Sequence, residues 1–316
     1  MEPDSSELFT GLSAFPLTPL HDDRMDESAF GNIIGMLDAA SVDSITVLGS
    51  TGSYAYLHTE ERARAVELAV ENASSTPVFA GIGALRTSDV LTHAANAREA
   101  GARALLLAPV SYQPLTDEDV FHLYRAVSES TDLPIIVYDN PTTTHFSFSL
   151  DLYARVAALP HVASVKIPPL PSDSRAAAER VHQIRDVIPR DVVVGISGDA
   201  SAAQGLVAGC SVWYSVIGGV LPQLALPIVE AARQGHDALA RETSDRLRPL
   251  WDLYTEFGGS ARVAAAIAEA LGLAQPSCLP RPILGLDESG RRRVVAALRE
   301  VGIDRTVDGS AFGDHR

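Results

Sequence analysis

The chain has 316 residues, 46% of them hydrophobic, with 23 glycines and 19 prolines, so it can bury a large core and is not wholesale disordered. A formal net charge of −15 argues against a broad basic surface for nucleic acid or anionic lipid. No apolar run reaches membrane-spanning length, the start Met1-Glu2-Pro3-Asp4 is unlike a secretion signal, and Cys210 and Cys278 have neither metal nor disulfide spacing, which together point to the cytoplasm.

Short apolar runs recur at Leu12–Leu17, Ser44–Leu48, Val78–Ile82, Ala104–Ala108, Ile135–Tyr138, Val162–Ile167, Val192–Ile196 and Val212–Val216. Amphipathic segments lie between them at Glu60–Asn72, Asp89–Ala100, Thr116–Ser130, Ser149–Ala158 and Ser174–Val187. Thr59 ahead of Glu60 and Glu61, and Thr116 three residues before Asp119, are helix-start signals. Strands alternating with helices predict a parallel sheet, and their count and the chain length favour a closed (β/α)8 TIM barrel. An open doubly wound sheet is the alternative, but no G-x-G-x-x-G follows the first strand, and Gly81-Ile82-Gly83 reads as a tight turn. Past Gly235 the pattern turns helical, at Asp237–Tyr254, Ser260–Leu271 and Ser289–Val301. The expected organisation is a barrel over 9–235, a helical appendage over 236–303, and a polar, fraying tail over 304–316.

In such barrels the reacting groups sit at the C-terminal ends of the strands. Gly49-Ser50-Thr51-Gly52 follows the second run and offers two hydroxyls and flexible N–H groups, suited to a carboxylate or phosphate. Taken alone, an ordinary Gly/Ser turn is the preferred reading of it. The fifth run ends in Tyr138, whose hydroxyl could relay protons or simply reach water. The seventh ends in Ser197-Gly198-Asp199.

The sixth run carries the most informative residue. Of 25 Lys and Arg side chains, 24 are arginine, and Lys166 is the exception. A lysine in an apolar, β-branched strand is costly to bury while charged. A desolvated primary amine can do what a guanidinium cannot: lose its proton and attack a carbonyl to form a Schiff base. That chemistry needs an anion site for a 2-oxo acid and a proton shuttle, and it needs no metal or organic cofactor. His21-Asp22-Asp23 is discounted as a metal site because adjacent loop side chains point apart.

The motifs Phe15-Pro16-Leu17-Thr18-Pro19, Gly49-Ser50-Thr51-Gly52, Leu133-Pro134-Ile135-Ile136-Val137-Tyr138 with Asn140-Pro141, Val165-Lys166 and Ser197-Gly198-Asp199 occur in one order. In that order the chain resembles the dihydrodipicolinate synthase and N-acetylneuraminate lyase family of pyruvate-dependent aldolases, from roughly Leu12 to Ile303. The resemblance implies a (β/α)8 barrel in a homotetramer or dimer, Lys166 as imine former, Tyr138 as proton relay, Ser50 and Thr51 as the carboxylate site, and Asp199 among the substrate contacts. It implies a small-molecule 2-oxo acid substrate and no cofactor. Dihydrodipicolinate synthases carry an arginine where this chain has Thr143, which weakens assignment to lysine biosynthesis. Their strand-four tyrosine, which reaches a neighbouring subunit, aligns with Ser111, leaving Tyr112 as the nearest candidate. Ser53 stands in for a usual glutamate, and Ala200 for an acidic residue of the neuraminate lyases. A true 4-hydroxy-tetrahydrodipicolinate synthase is the first alternative; a non-catalytic barrel that binds 2-oxo acids is the second.

Overall fold

The computed structural model describes residues 8–304. Eight parallel strands close into a barrel: β1 (Gly11–Ala14), β2 (Ser44–Val47), β3 (Val78–Gly81), β4 (Ala104–Leu107), β5 (Ile135–Tyr138), β6 (Val162–Ile167), β7 (Val193–Ile196) and β8 (Val212–Ser215). The ring closes where β1 pairs with both β8 and β2. The helices that follow the strands are α1 (Glu27–Ala39), α2 (Thr59–Asn72), α3 (Thr87–Glu99), α4 (Asp117–Ser128), α5 (Leu150–Ala157), α6 (Ser174–Val187), α7 (Ala202–Val207) and α8 (Pro222–Arg233). A two-stranded hairpin, Leu20–His21 with Arg24–Met25, sits between β1 and α1; its turn is Asp22–Asp23, and the exposed His21 and Asp22 side chains approach to 3.6 Å instead of pointing apart.

Two expected helix starts take different forms. Thr116 caps α4 with the anticipated reciprocal bonds: its hydroxyl accepts from Asp119 N–H, and its own N–H donates to the Asp119 carboxylate at 2.9 Å. At α2 the cap is His58, one residue earlier than Thr59, with its N–H donating to Glu61. The segment expected as one helix over 237–254 is two, α9 (Asp237–Asp245) and α10 (Arg248–Glu256). Pro249 is the reason. It has no N–H to continue the ladder, and its ring would collide with the carbonyl of Asp245, so a new helix must start with proline in its first turn. Then come α11 (Ser260–Ala270) and α12 (Glu288–Glu300). The tail from residue 305, expected to fray, lies outside the described residues.

Two cores result from the period-two alternation of each strand. Outward residues such as Ile45, Val47, Val165, Ile167 and Val194 pack against the helices. Inward residues Phe79, Leu106, Ile136, Tyr138, Val212 and Tyr214, with Phe9 and Phe15, fill the barrel itself. Polar pairs bridge neighbouring layers inside: Ser13 with Thr46 at 2.8 Å, and Ser164 with Tyr214 at 2.6 Å. In β6 the alternation turns Val165 and Ile167 outward, so Ser164 and Lys166 must face in. The register fixes the height, because Lys166 pairs with Tyr138 on one side and Gly195 on the other.

Candidate active site

Lys166 is 3% exposed and stands in the barrel interior among aromatic rings. Its Nζ lies 3.8 Å from the centre of the Phe15 ring, 4.2 Å from that of Tyr138 and 5.6 Å from that of Tyr214. Tyr214 can lie beneath the amine because its β7 neighbour is glycine. A Cβ at Gly195 would come within 2.4 Å of the Tyr214 ring. Desolvation dominates the electrostatics. It lowers the Lys166 pKa from 10.5 to about 7, and the negative charge of Asp199 pulls weakly the other way. A substantial fraction of the amine is therefore neutral and nucleophilic near pH 7. The rings exclude water and still favour whatever cation forms at Nζ, whether ammonium or iminium.

Tyr138 ends β5 with its hydroxyl 3.2 Å from Ser50 Oγ, and Asn140 Nδ2 donates to the same hydroxyl at 2.7 Å. Burial pushes the phenol above its ordinary range, while the bonds from Ser50 and Asn140 oppose that rise. The β5 end is braced from behind. Asp139 N–H donates to the Lys166 carbonyl at 3.1 Å, and the Asp139 carboxylate accepts a hydrogen bond from the Tyr153 hydroxyl. The Ser50-Thr51 loop leaves β2 through Leu48, at φ 57°. Gly49 lies against the Phe15 ring so closely that a Cβ would sit 2.6 Å from Cδ1. One ring thus seats both the loop and the lysine. Ser50 is half-buried and Thr51 buried, so this edge of the site presents two hydroxyls over an apolar floor.

The remaining expected residues fall in different places. Asp199 is buried, and its carboxylate is already occupied: it accepts from Trp213 Nε1 at 3.0 Å, Ser215 Oγ at 3.2 Å, and the backbone N–H groups of Val216 at 3.2 Å and Ile217 at 2.7 Å. It holds the end of β8 and biases Lys166 through charge, where the sequence suggested a substrate contact. Burial raises its pKa, and these four donors counteract the rise. Tyr112 stands 90% exposed on the loop after β4, and the Tyr138 hydroxyl has Ser50 and Asn140 as its partners. Thr143 is exposed on a short helical turn, Pro141–Thr144, with its hydroxyl 3.4 Å from the Asn140 carbonyl, and His145 next to it is exposed. Sequence reasoning missed the roles of Phe15, Tyr214 and Asn140. The first two lay in expected strands, but their convergence on Lys166 requires barrel closure. Among the described residues, no group of three His, Cys, Asp or Glu side chains is arranged to hold a metal.

With this geometry in view, similarity to known proteins is consistent throughout. The sequence profile of the Dihydrodipicolinate synthetase family matches residues 8–301. The 4-hydroxy-tetrahydrodipicolinate synthase of Phenylobacterium zucineum is 32% identical over 302 residues, covering 94% of this chain and 98% of that protein. The enzyme of the same name from Dechloromonas aromatica is 30% identical over 299 residues, covering 94% and 99%. The crystal structure of dihydrodipicolinate synthase from Agrobacterium tumefaciens superposes with a TM-score of 0.90 at 45% identity, covering 94% of this chain and all of that one.

Proposed function

The chain belongs to the dihydrodipicolinate synthetase family, and on that premise we propose that it is a lyase in which Lys166 forms an imine with pyruvate or a related 2-oxo acid. The observation that carries this is the burial of the chain's one lysine among three rings, beside a tyrosine, with its pKa lowered to about 7. The neutral amine adds to the C2 carbonyl. The carbinolamine oxygen takes a proton from Tyr138 and leaves as water, and the nitrogen lone pair closes the C=N bond. The iminium then draws electrons from C3. A C3 proton lost to Tyr138 gives an enamine that attacks an aldehyde; the reverse sequence cleaves a C–C bond, and a leaving group β to the iminium is eliminated. Ser50 and Thr51 bind the carboxylate in this reading.

The second substrate is proposed to be neutral or hydroxylated. Thr143 has no charge with which to clamp a carboxylate, and Thr142, Thr143 and His145 offer polar groups at the rim. A true 4-hydroxy-tetrahydrodipicolinate synthase is the competing reading, favoured by the activity for which the relatives are named. Self-association into a homotetramer is supported by the exposed apolar side chains Tyr56, Leu85 and Tyr112 on the loops after β2, β3 and β4, and light scattering measures it directly. No helix among the described residues is long and apolar enough to cross a membrane; a cytoplasmic location agrees with that and with two free cysteines.

The decisive experiment is borohydride reduction with pyruvate in the presence of EDTA. A mass increase on the peptide holding Lys166 is expected, and Lys166→Arg should be as inactive as Lys166→Ala. No adduct, or one at the N-terminal amine alone, refutes the assignment.

A further inference from the structure

Asn140 is not part of the lysine, carboxylate loop or relay tyrosine inferred so far, yet it touches the relay. Its backbone is fixed, because its carbonyl accepts from the N–H groups of Thr143 and Thr144, each at 3.0 Å, and from the Thr144 hydroxyl at 3.0 Å. Pro141 follows at the first position of that helical turn and removes further freedom. The side chain is thus carried on a pinned segment and reaches back to Tyr138. An amide nitrogen has only donors. In the 2.7 Å pair with Asn140 Nδ2 the Tyr138 oxygen is therefore the acceptor, while in the 3.2 Å pair with Ser50 Oγ either hydroxyl can donate. The Asn140 amide is thus a donor with a fixed direction toward the Tyr138 oxygen.

We propose that Asn140 is a positioning residue of the proton relay, whose amide donor holds the Tyr138 oxygen and stabilises the phenolate formed each time Tyr138 gives up its proton. This rests on the reading of Lys166 as the imine former. When Tyr138 protonates the carbinolamine oxygen, the C–O bond breaks, water departs, and negative charge is left on a buried phenol oxygen. Removal of a C3 proton returns a hydrogen to that oxygen, so the relay is restored and the amide itself exchanges no proton. A donor aimed at an oxygen that becomes an anion is strengthened at that moment, which lowers the barrier without tightening ground-state binding. Desolvation opposes ionisation of Tyr138, and the Asn140 bond opposes the desolvation.

The test needs no second substrate. Exchange of the pyruvate methyl protons with D2O, followed by NMR, requires only the imine and the relay. Borohydride trapping in the same samples reports the imine alone. Asn140→Leu and Asn140→Asp should give wild-type yields of the Lys166 adduct and an unchanged half-saturating pyruvate concentration. Their exchange at saturation should slow roughly 10–100-fold, the usual effect of losing a hydrogen bond to a charged group. The aspartate variant is the stricter of the two, because it keeps the shape and an acceptor oxygen and loses the donor. Wild-type exchange in either variant, with the adduct intact, overturns the proposal and leaves the lysine reading standing. Joint loss of adduct, half-saturation and exchange would show a structural role only, and would also overturn it. Absence of an adduct in the wild type removes the lysine reading and this proposal together.

Discussion

Replacing Lys166 by methionine should make the protein more stable while abolishing its imine chemistry. Methionine keeps an unbranched chain of similar length inside the aromatic cage and removes the ionisable group. Burial lowers the lysine from 10.5 to about 7. At about 1.4 kcal/mol for each tenfold change in a protonation equilibrium, holding the charged amine in the barrel costs about 4–5 kcal/mol, an order-of-magnitude ceiling. Repacking around the sulfur reduces the gain, so a net stabilisation of about 2–4 kcal/mol is expected in acid. The sign follows from the depressed pKa. Below about pH 7 the amine is protonated in both folded and unfolded chains, and the wild type bears the penalty in full. Between about 7 and 10.5 the unfolded chain binds a proton that the folded chain does not, so wild-type stability rises with pH and the advantage of methionine shrinks. Urea denaturation of both proteins at about pH 6 and about pH 9.5 measures this. Equal stability at the lower pH, or an advantage of the same size at both, would refute the claim that desolvation controls this amine.

Tyr138→Phe should fold and still form the imine slowly, with turnover down roughly 10²–10⁴-fold, the range for loss of a general acid–base group; unchanged turnover in a steady-state assay would hand the relay to another group. Asp199→Asn removes the charge that supports the Lys166 ammonium, so the acid limb of borohydride trapping should move to lower pH. The same variant replaces one acceptor oxygen by a donor that must face either the Ile217 N–H at Oδ2 or the three donors at Oδ1, costing about 1–3 kcal/mol in denaturation experiments. The parent should use aspartate semialdehyde with kcat/KM below the roughly 10⁴ M⁻¹s⁻¹ low end for enzymes, and Thr143→Arg should raise it; efficient use by the parent would falsify the neutral-partner proposal.

Much of the scaffold was legible because strand signals here are clean. β5 and β6 begin and end where their β-branched runs do, since proline, histidine and polar residues bound them. The two-part helix after residue 236 was not, although Pro249 carried the signal, because the amphipathic pattern continues through the break. Lys166 and Tyr138 could be singled out from residue type and strand position. Phe15 and Tyr214 could not be placed against the lysine, because contacts across a barrel depend on the closure of all eight strands. Asp199 illustrates a different limit. An aspartate at a strand end looks available for substrate until the four donors around it are located, and two of those are backbone N–H groups that no side-chain pattern reveals.

An enzyme that handles 2-oxo acids and aldehydes works among reagents that condense with any accessible primary amine. Outside the barrel this chain carries its positive charge on arginine, which stays protonated and forms no imine, and the one side-chain amine is 3% exposed. Adventitious glycation of the exterior by its own substrates therefore has no lysine to act on. The covalent adducts found on the purified protein would then be a chemical record of what had entered the barrel.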